Sequence, residues 1–470
     1  MTLDQIRSQF ETILGNNNVL TAPGDQAPYL VEWRDKFIGN TPMVLRPGST
    51  EEVSAIMKLA YQHGLKVVPQ GGNTGLVGGQ IPVPDSGEIV ISLNRLNKIR
   101  SVDASGYTMS VDAGVTLQAI HDAAEQADRL FPLTLASQGT CQIGGNISTN
   151  AGGTAVLSYG NTRDLILGLE VVLANGEIWN GLRTLRKDNT GYDLKQLFIG
   201  SEGTLGIVTA ASVKLFPRPV ATHVSFCGLD SPHKALELFS LARSHAGTML
   251  TGFEIMPRVG MEFALKHLPG ARMPLSEAAN WYILMEISAG SPDIDLESMT
   301  ETIFEEAFEK EMLLDAVLAQ SQAQAEDFWK LRHGLSEVQK HEGGSIKHDV
   351  SVPVEKVPDF LIEAIAAVEE RVPGCRPVPF GHMGDGNIHF NITQPEGADK
   401  AAFLARWDEV NELVHGIVAT YNGSISAEHG IGRLKKDLLP DVKSQVEMDL
   451  MRTIKNALDP KGILSPGRIL

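Results

Sequence analysis

The sequence predicts an α+β protein with more than one domain, and three observations carry that prediction. The 470 residues exceed what a single compact core usually holds. Up to about residue 220, short strand-like runs are mixed with many glycines and few helices. Beyond residue 220, strand-like and helical runs suggest an antiparallel sheet covered by helices on one face. We therefore expect a first domain at 1–219, a second at 220–425 and a helical C-terminal segment at 426–470.

The bulk composition is that of an ordinary soluble globular protein, with 43% hydrophobic and 21% charged residues. A protein with a formal net charge of −17 is repelled by the phosphate backbone of nucleic acids, so no nucleic-acid partner is expected. No apolar run approaches the roughly 20 residues of a transmembrane helix. The N-terminal MTLDQIRSQF lacks the basic and apolar parts of a secretory signal. The three cysteines suit a reducing compartment, so a cytoplasmic protein is expected.

In the first domain, two helices lead toward glycine-rich segments. Ser49 and Glu52 form a capping-box pattern, Gly64 ends the helix, and the apolar stripe between them consists of Val53, Ile56, Met57 and Ala60. A strand at Lys66 to Pro69 then runs into GGNTGLVGG at 71–79. A helix from Thr116 to about Ala127 precedes SQGTCQIGGNISTNAGG at 137–153, and GSEGTLGIV follows at 200–208.

The first glycine-rich loop predicts a backbone anion site rather than a helix-borne one. IPVPDSG follows it, and its two prolines exclude a helix there, so a dinucleotide site at a helix N-terminus is not expected. The bare N–H groups can instead curl around an anion, with Asn73 and Thr74 as additional donors. A single glycine run would more simply be a surface turn. Three such clusters favour a backbone that approaches a long ligand closely.

In the second domain, VPFGHMGDGNIHFNI at 378–392 predicts a β-hairpin with two histidines. If Asp385-Gly386 is a two-residue turn, His382 lies directly opposite His389, with Cβ atoms about 4.5–5.5 Å apart. Asn391 then lies on the same face as His389. Two imidazoles at that separation can chelate a metal ion. The alternative is a pair of partly buried histidines in a tight turn.

A carboxylate ligand has to come from elsewhere, and Glu428-His429 in SISAEHGIG is the best candidate. Neighbouring side chains in extended backbone diverge, so the two residues can serve different partners. The alternative is an exposed polar pair.

The glycine-rich segments resemble the FAD-binding domain of the vanillyl-alcohol oxidase family. The resemblance implies a two-subdomain FAD-binding domain, and no histidine in the first loop implies non-covalent FAD. Cys141 is interpreted as a small packing residue rather than a covalent anchor. The resemblance implies cofactor contacts at Pro69, Gly71, Gly72, Asn73, Thr74, Gly75, Leu76, Ser137, Gly139, Thr140, Cys141, Gly144, Asn146, Thr149, Asn150, Gly152, Glu202, Gly203, Ile207 and Val208.

GHMGDGNIH followed by EHGIG is similar to the D-lactate and D-2-hydroxyglutarate dehydrogenase branch of that family. The similarity extends over nearly the whole chain and implies that the C-terminal segment returns to the flavin. It implies that His382, His389 and Glu428 bind the metal, while His429 acts as general base. Zn²⁺ is expected from the ligand types, with Mn²⁺ or Fe²⁺ as alternatives. One departure from the pattern is Ser465, where relatives usually carry Asn.

The prediction of which D-2-hydroxy acid is the substrate depends on residues 331–353. Arg332 and Ser336 share a predicted helix face, and Lys347 lies on the strand that follows. The resemblance implies that these three residues, with Asn391, bind substrate, and that Lys347 favours D-2-hydroxyglutarate or D-malate over D-lactate. The alternative is that Arg332 and Lys347 are ordinary surface charges.

Other functions remain open at this point. One is a D-lactate or glycolate dehydrogenase of the same branch, and another is a non-catalytic flavoprotein subunit. A metallohydrolase with merely structural glycine loops is a third. Without a cysteine set for an iron–sulfur cluster, electrons are expected to pass from the flavin to a partner such as electron-transfer flavoprotein or a quinone. A homodimer is one oligomeric state open to the chain.

Overall fold

A computed structural model describes residues 2–470, which divide into two compact units. Unit 1 comprises the chain up to Gly153, Gly160–Arg218 and Glu428–Leu470. Unit 2 comprises Thr154–Tyr159 and Pro219–Ala427. Within the described residues, none of the helices is both long and apolar enough to cross a membrane.

Helices and strands are interspersed along both units. The chain up to Gly153 contains α1 (Leu3–Leu14), β1 (Val19–Leu20), α2 (Pro23–Gln26), β2 (Val44–Leu45), α3 (Thr50–His63), β3 (Val67–Gln70), β4 (Ile89–Ser92), β5 (Ile99–Asp103), β6 (Thr108–Asp112), α4 (Leu117–Gln126), β7 (Arg129–Leu130) and α5 (Ile143–Thr149). From there to Arg218 follow α6 (Val156–Tyr159), α7 (Thr162–Leu165), β8 (Ile166–Val172), β9 (Ile178–Gly181), α8 (Lys195–Phe198), β10 (Ile207–Lys214) and β11 (Phe216–Pro217). The longer part of unit 2 contains β12 (Ala221–Leu229), α9 (Pro232–Ala246), β13 (Leu250–Pro257), α10 (Arg258–His267), β14 (Trp281–Ala289), α11 (Leu296–Glu309), β15 (Asp315–Leu318), α12 (Gln322–Val338), β16 (Ser345–Lys347), β17 (Val350–Ser351), α13 (Val357–Arg371), β18 (Arg376–His382), β19 (Asn387–Thr393), α14 (Lys400–Leu404) and α15 (Trp407–Thr420). The last part of unit 1 contains α16 (Leu439–Val442) and α17 (Gln445–Leu458).

Unit 1 contains two main sheets. The first has the strand order β1-β2-β4-β3, in which β4 runs parallel to both β2 and β3. The second is antiparallel, in the order β5-β6-β10-β8-β9. A short β7–β11 pair completes the unit's strands in the described residues. The chain passes from β3 to the parallel strand β4 through the glycine-rich loop rather than through a helix, as the prolines after that loop predict.

Helix α3 forms where the sequence predicts it, because both of its ends have capping groups. The Ser49 hydroxyl accepts the N–H of Glu52, and Gly64 ends the helix in the left-handed conformation with φ of 63°. The Glu52 carboxylate accepts the N–H of Gly48 at 2.6 Å, so the reciprocal half of the predicted capping box is replaced by that bond. The predicted apolar stripe is buried.

Unit 2 is built on an eight-stranded antiparallel sheet in the order β15-β12-β14-β13-β18-β19-β16, with β17 also paired to β19. Helices cover both faces, so the prediction of helices on one face is wrong. One core includes residues of α9, α11, α13 and α15, and the other includes residues of α10 and α12. The sequence of β14, WYILMEISA, carries the reason: a strand buried on both faces is apolar at successive positions, rather than at every second one.

Candidate active site

The first glycine-rich loop follows β3 in unit 1 and packs tightly against the 139–145 segment. A Cβ on Gly72 would lie 2.0 Å from the carbonyl oxygen of Thr140, so only glycine fits there without a shift. Asn73 adopts a positive φ of 55° and donates its side-chain amide to the carbonyls of Pro28 and Val31. The side chain of Asn73 therefore holds the loop in place, while the loop's backbone remains the predicted anion-binding element.

The second glycine-rich segment contains helix α5, which the pattern of glycines did not predict. A Cβ on Gly144 would lie 2.7 Å from the Cβ of Ala113, so α5 packs closely on the turn after β6. Asn150 ends the helix with φ of 51°, and its side-chain oxygen accepts the N–H of Arg163 at 2.9 Å. Cys141 is buried and accepts a bond from the Asn146 amide at 3.6 Å, which is consistent with a packing role.

The third segment meets the first where a Cβ added at Gly79 would lie 3.4 Å from Oε2 of Glu202, and it also packs against β3 at Gly203. An added Cβ on Gly203 would lie 2.6 Å from Cγ of Pro69 and 3.4 Å from Oγ of Ser465. All three glycine-rich segments and the C-terminal Ser465 thus belong to one unit, and two of the segments come together beside Ser465. Ile207 and Val208 begin β10, where they pair with Val172 and Val171 and lie in the sheet core.

Two polar atoms beside these segments fit a cofactor. Among the described residues, Oε1 of Gln142 and Oγ of Ser465 are buried without a hydrogen-bond partner. Burying a polar atom unpaired costs free energy, so such atoms normally have a protein, water or ligand partner. FAD offers many donors and acceptors along its length, and the close-packed glycines leave backbone N–H groups for its phosphates. The residues present therefore fit the predicted FAD.

Glu202 has a structural contact that the sequence did not predict. Its two carboxylate oxygens accept the N–H groups of Ile431 and Gly432, each at 2.7 Å. Burial raises the pKa of Glu202 to about 6, although those two N–H groups and Lys435 act in the opposite direction. Glu202 thereby fixes the loop that directly follows His429.

Glu428 and His429 open the last stretch of unit 1. Oε2 of Glu428 accepts the N–H of Gly153 at 3.1 Å, and Oε1 lies 3.8 Å from Nε2 of His429. Glu428 is also covalently next to Ala427, whose N–H donates to the backbone oxygen of Asp349 in unit 2 at 3.3 Å.

The histidine hairpin is present in unit 2, but its predicted register is wrong. Strand β18 ends at His382 and β19 begins at Asn387, so these two residues pair and His389 lies opposite Phe380. A two-residue type I′ turn requires positive φ at both central residues, whereas only Gly386 adopts it, with φ of 84°. The Asp385 carboxylate instead accepts the N–H of Asn387 at 3.0 Å, which closes a four-residue turn.

The two histidines nevertheless lie close together, with ring centroids 5.6 Å apart. His389 is two residues beyond Asn387, the partner of His382, so both side chains leave the same face of the sheet. Asn391 is two residues further along β19 and is buried. The predicted proximity is thus achieved by a diagonal pair rather than by a directly opposed one.

His382 and Arg332 share one carboxylate. Glu254, on β13, is 1% exposed, and its carboxylate accepts hydrogen bonds from Nδ1 of His382 at 2.7 Å and from Nε of Arg332 at 2.6 Å. Burial alone would raise the pKa of Glu254, but the charge of Arg332 and the hydrogen bonds from Arg332 and His382 outweigh burial and lower it to about 2. The carboxylate is therefore ionised, and the guanidinium of Arg332 lies over the ring of Phe380, 4.9 Å from its centroid.

His389 has a carboxylate neighbour of its own. Oδ1 of Asp349 lies 3.7 Å from Nδ1 of His389 and accepts the side-chain amide of Asn387 at 3.0 Å. Asp349 is buried, and it and His389 can both offer ligand atoms to one ion. A carboxylate and imidazoles form a ligand set that suits Zn²⁺ and other divalent transition metals. Asp349 thus joins the predicted His382, His389 and Glu428 as a candidate ligand.

The predicted substrate-binding residues Arg332, Ser336 and Lys347 come together. Arg332 and Ser336 lie one turn apart on α12, and Nζ of Lys347, on β16, donates to the backbone oxygen of Ser336 at 3.1 Å. The ammonium of Lys347 therefore contacts α12 at Ser336, one helical turn along the chain from Arg332. A guanidinium binds carboxylates bidentately and an ammonium acts as a point charge, so the arrangement can bind an acid with a second carboxylate.

Sequence reasoning missed Glu254 and Asp349. Glu254 lies among apolar neighbours in TGFEIMP, within the buried strand β13, and Asp349 lies in KHDVSV, in the short link between β16 and β17. A carboxylate is rarely buried unless it is paired, so an acidic residue inside an apolar strand indicates a partner. That signal was readable in the sequence, although the identity of the partner was not.

Comparisons with known proteins identify the family of the chain. The C-terminal domain model of the FAD-linked oxidases matches residues 218–469, and an FAD-binding domain model matches residues 41–181. The chain is 40% identical over 449 residues to a D-2-hydroxyglutarate dehydrogenase of Xanthomonas citri pv. viticola, covering 96% of this chain and 93% of the relative. It is 38% identical to the mitochondrial D-2-hydroxyglutarate dehydrogenase of Arabidopsis thaliana, covering 98% and 81%.

The fold also matches solved structures of much lower sequence identity. An alkyldihydroxyacetonephosphate synthase superposes with a TM-score of 0.76 at 17% identity, covering 99% of this chain and 85% of that one. At that identity the match shows the fold alone. The predictions of the vanillyl-alcohol oxidase fold and of FAD are confirmed. The chain therefore belongs to the FAD-linked oxidases, in the D-lactate and D-2-hydroxyglutarate dehydrogenase branch, and is an FAD-dependent D-2-hydroxy acid dehydrogenase.

Proposed function

We propose that the protein oxidises D-2-hydroxyglutarate, and also D-malate, to the corresponding 2-oxo acid. The observation that carries the choice of a dicarboxylate is the meeting of Lys347 with Ser336, one helical turn from Arg332. Relatives of about 40% identity that bear the name D-2-hydroxyglutarate dehydrogenase support the same choice. In this proposal Arg332, Ser336, Lys347 and Asn391 bind the substrate.

The proposed chemistry divides into the tasks of bound groups and those of the chain. Bound FAD supplies a hydride acceptor, and a divalent metal, with Zn²⁺ favoured, supplies a Lewis acid. His382, His389 and Glu428 hold the metal, with Asp349 as a further candidate. His382 can offer Nε2, because its Nδ1 is bound to Glu254. These donor types fit the metal that the family resemblance implies.

His429 is the proposed general base. A ring nitrogen of His429 accepts the proton of the C2 hydroxyl as the C2 hydrogen leaves with its electron pair, and the carbon becomes the 2-oxo group. An imidazole is suited to this task because its protonation changes near neutral pH. Support comes from the anchoring of the adjacent loop, where Glu202 binds Ile431 and Gly432. Electrons then pass to an acceptor such as electron-transfer flavoprotein or a quinone.

The test is anaerobic reduction of the purified flavoprotein by single acids. D-2-hydroxyglutarate and D-malate are expected to bleach the flavin absorption, whereas L-2-hydroxyglutarate is not. Steady-state kcat/KM is then compared with that for D-lactate. A preference for D-lactate over both dicarboxylates would overturn the proposed substrate class.

Replacement of Lys347 by methionine tests the specificity argument directly. Loss of one charge-assisted contact of about 1.5–3 kcal/mol predicts a fall of roughly 10–100-fold in kcat/KM for D-2-hydroxyglutarate. The value for D-lactate, which has no second carboxylate, is expected to stay within about threefold. The matched control is Lys330→Met, because Lys330 lies on α12, the helix of Arg332 and Ser336, and like Lys347 donates to a backbone oxygen, that of Pro269, at 2.8 Å. Equal losses for both acids would contradict the assignment.

A further inference from the structure

We propose that Glu254 is a positioning residue that sets both the metal-binding nitrogen of His382 and the orientation of Arg332. This inference rests on the proposed function, because it assigns the two partners their roles in metal and substrate binding. Glu254 is remote from both in sequence, 128 residues from His382 and 78 from Arg332. Each of its two oxygens takes one partner, so a single buried carboxylate links the proposed metal side of the site to its substrate side.

The contact with His382 determines which ring nitrogen is available. A carboxylate can only accept, so Nδ1 of His382, at 2.7 Å from Oε1, must carry the hydrogen. The lone pair is then on Nε2, so Nε2 is the ring nitrogen with the chemistry to bind a metal ion. A carboxylate behind a metal-binding histidine also fixes the ring orientation and strengthens the ligand.

The contact with Arg332 determines which edge of the guanidinium is presented. Nε donates to Oε2 of Glu254 at 2.6 Å, and the guanidinium lies over the ring of Phe380. Those two contacts fix the plane of the guanidinium, and Glu254 occupies its Nε edge. The Nη groups are the donors that remain for a substrate carboxylate. The pair is almost completely buried, with side chains 7% and 1% exposed, so solvent screens it little.

Glutamine at this position cannot satisfy both partners in the same way. If its oxygen accepts from Arg332, its amide N–H₂ group faces Nδ1 of His382 and requires that nitrogen to be the acceptor. The hydrogen of His382 then moves to Nε2, and the metal-binding lone pair is lost. If the amide turns over, His382 keeps its tautomer but a donor faces Nε of Arg332, and the guanidinium loses its anchor.

The experiment compares Glu254→Gln with Glu286→Gln in the purified flavoprotein. Glu286 is on the neighbouring strand β14 and also has two side-chain partners, Thr251 and Trp329. The side chain of Glu286 forms its hydrogen bonds with Thr251 and Trp329 rather than with His382 or Arg332, so Glu286→Gln is a matched control. Zn²⁺ affinity is measured by competition with a chromophoric chelator, and KM and kcat are measured for D-2-hydroxyglutarate. Flavin content and circular dichroism check folding.

Glu254→Gln is expected to weaken Zn²⁺ binding roughly 10–100-fold, the range found for partners of metal-binding histidines, and to raise KM. Glu286→Gln is expected to match the wild type in both. Glu254→Asp, which keeps the charge, should recover part of the lost affinity. If Glu254→Gln does not fold, Glu254→Asp decides: an unchanged Zn²⁺ affinity and KM overturn the proposal.

The outcomes separate this proposal from the proposed function. Suppose the wild type binds Zn²⁺ and oxidises D-2-hydroxyglutarate, and Glu254→Gln binds Zn²⁺ as tightly as Glu286→Gln. That result refutes the role of Glu254 in metal binding and leaves the proposed function standing. A wild type that binds no divalent metal refutes the metal part of the proposed function and the His382 part of this proposal. In that case the Arg332 part is still tested by KM, and an unchanged KM in Glu254→Gln refutes it.

Discussion

Replacing Arg468 by methionine is expected to destabilise unit 1 strongly. Arg468 is fully buried near the C-terminus and forms a two-point ion pair with Glu88, at 2.5 Å and 3.0 Å. Its remaining donors bind the carbonyl oxygens of Gly79, Ile81 and Pro466. Methionine would fill similar space but leave the Glu88 carboxylate buried without its cation. Removing one partner of a buried pair costs about 3–5 kcal/mol.

That loss of stability can be measured as a decrease in the melting temperature, Tm. For a unit of this size, each kcal/mol shifts Tm by about 2–4 °C, so the expected decrease is roughly 6–20 °C. Flavin fluorescence during heating reports unfolding of unit 1 specifically, because free FAD is brighter than most protein-bound FAD. All variants are scanned at one rate, since unfolding of a two-unit chain need not be reversible.

Two further variants make the test specific. Arg468→Met combined with Glu88→Gln should recover much of the lost stability, because no unpaired charge remains. Arg452→Met removes an exposed arginine that pairs with Asp449 at 3.1 Å, and it should shift Tm by no more than about 2 °C. A melting temperature of Arg468→Met within about 2 °C of the wild type would refute the reasoning, as would a double variant that is less stable than Arg468→Met.

Two other predictions concern the FAD-binding unit. Gly72→Ala would place a Cβ 2.0 Å from the Thr140 carbonyl oxygen, so the purified protein should lose most of its flavin. Gly24→Ala, in α2 and outside the glycine-rich segments, meets nothing within 4 Å and should retain the flavin; equal flavin content in the two variants would contradict the steric argument. For Glu202, the pKa is raised from 4.5 to about 6 in the folded protein, so its contribution to stability is present below pH 4.5 and is lost as the pH rises through 6. The free energy of unfolding of the wild type should therefore fall by up to about 2 kcal/mol relative to Glu202→Gln between pH 4.5 and about 7. Unfolding is followed by the release of flavin. Parallel pH profiles of the two proteins would show that the pKa of Glu202 is not shifted.

Much of the local structure could be predicted because its causes are local. The Ser49 cap, the Gly64 stop and the apolar stripe between them lie within one short segment. The glycine-rich segments were likewise recognisable, since only glycine allows the close backbone approach seen at Gly72. The prediction that the two histidines share one face holds, because the partner of His382 is Asn387, two residues from the predicted His389, and a shift of two residues keeps the face.

The register of that hairpin could not be read from the dipeptide alone. Asp-Gly is compatible with several turns, and the choice depended on a bond from the N–H of Asn387 to the Asp385 carboxylate. Packing also contributed, because Gly386 lies against the backbone of Val352, where a Cβ would be 2.1 Å from its oxygen. Contacts of that kind join segments that sequence periodicity treats separately.

The sequence by itself determined the family, the FAD-binding segments, the two histidines and the cationic residues of α12 and β16. Only the tertiary structure decided that Glu254 joins His382 to Arg332 and that Asp349 lies beside His389. The reason is physical: caps, glycine turns and face alternation depend on neighbours a few residues away. The partner of a buried carboxylate depends on which remote strands pair, and the pairing of β13 with β18 is set by the packing of the whole sheet rather than by either strand's own pattern.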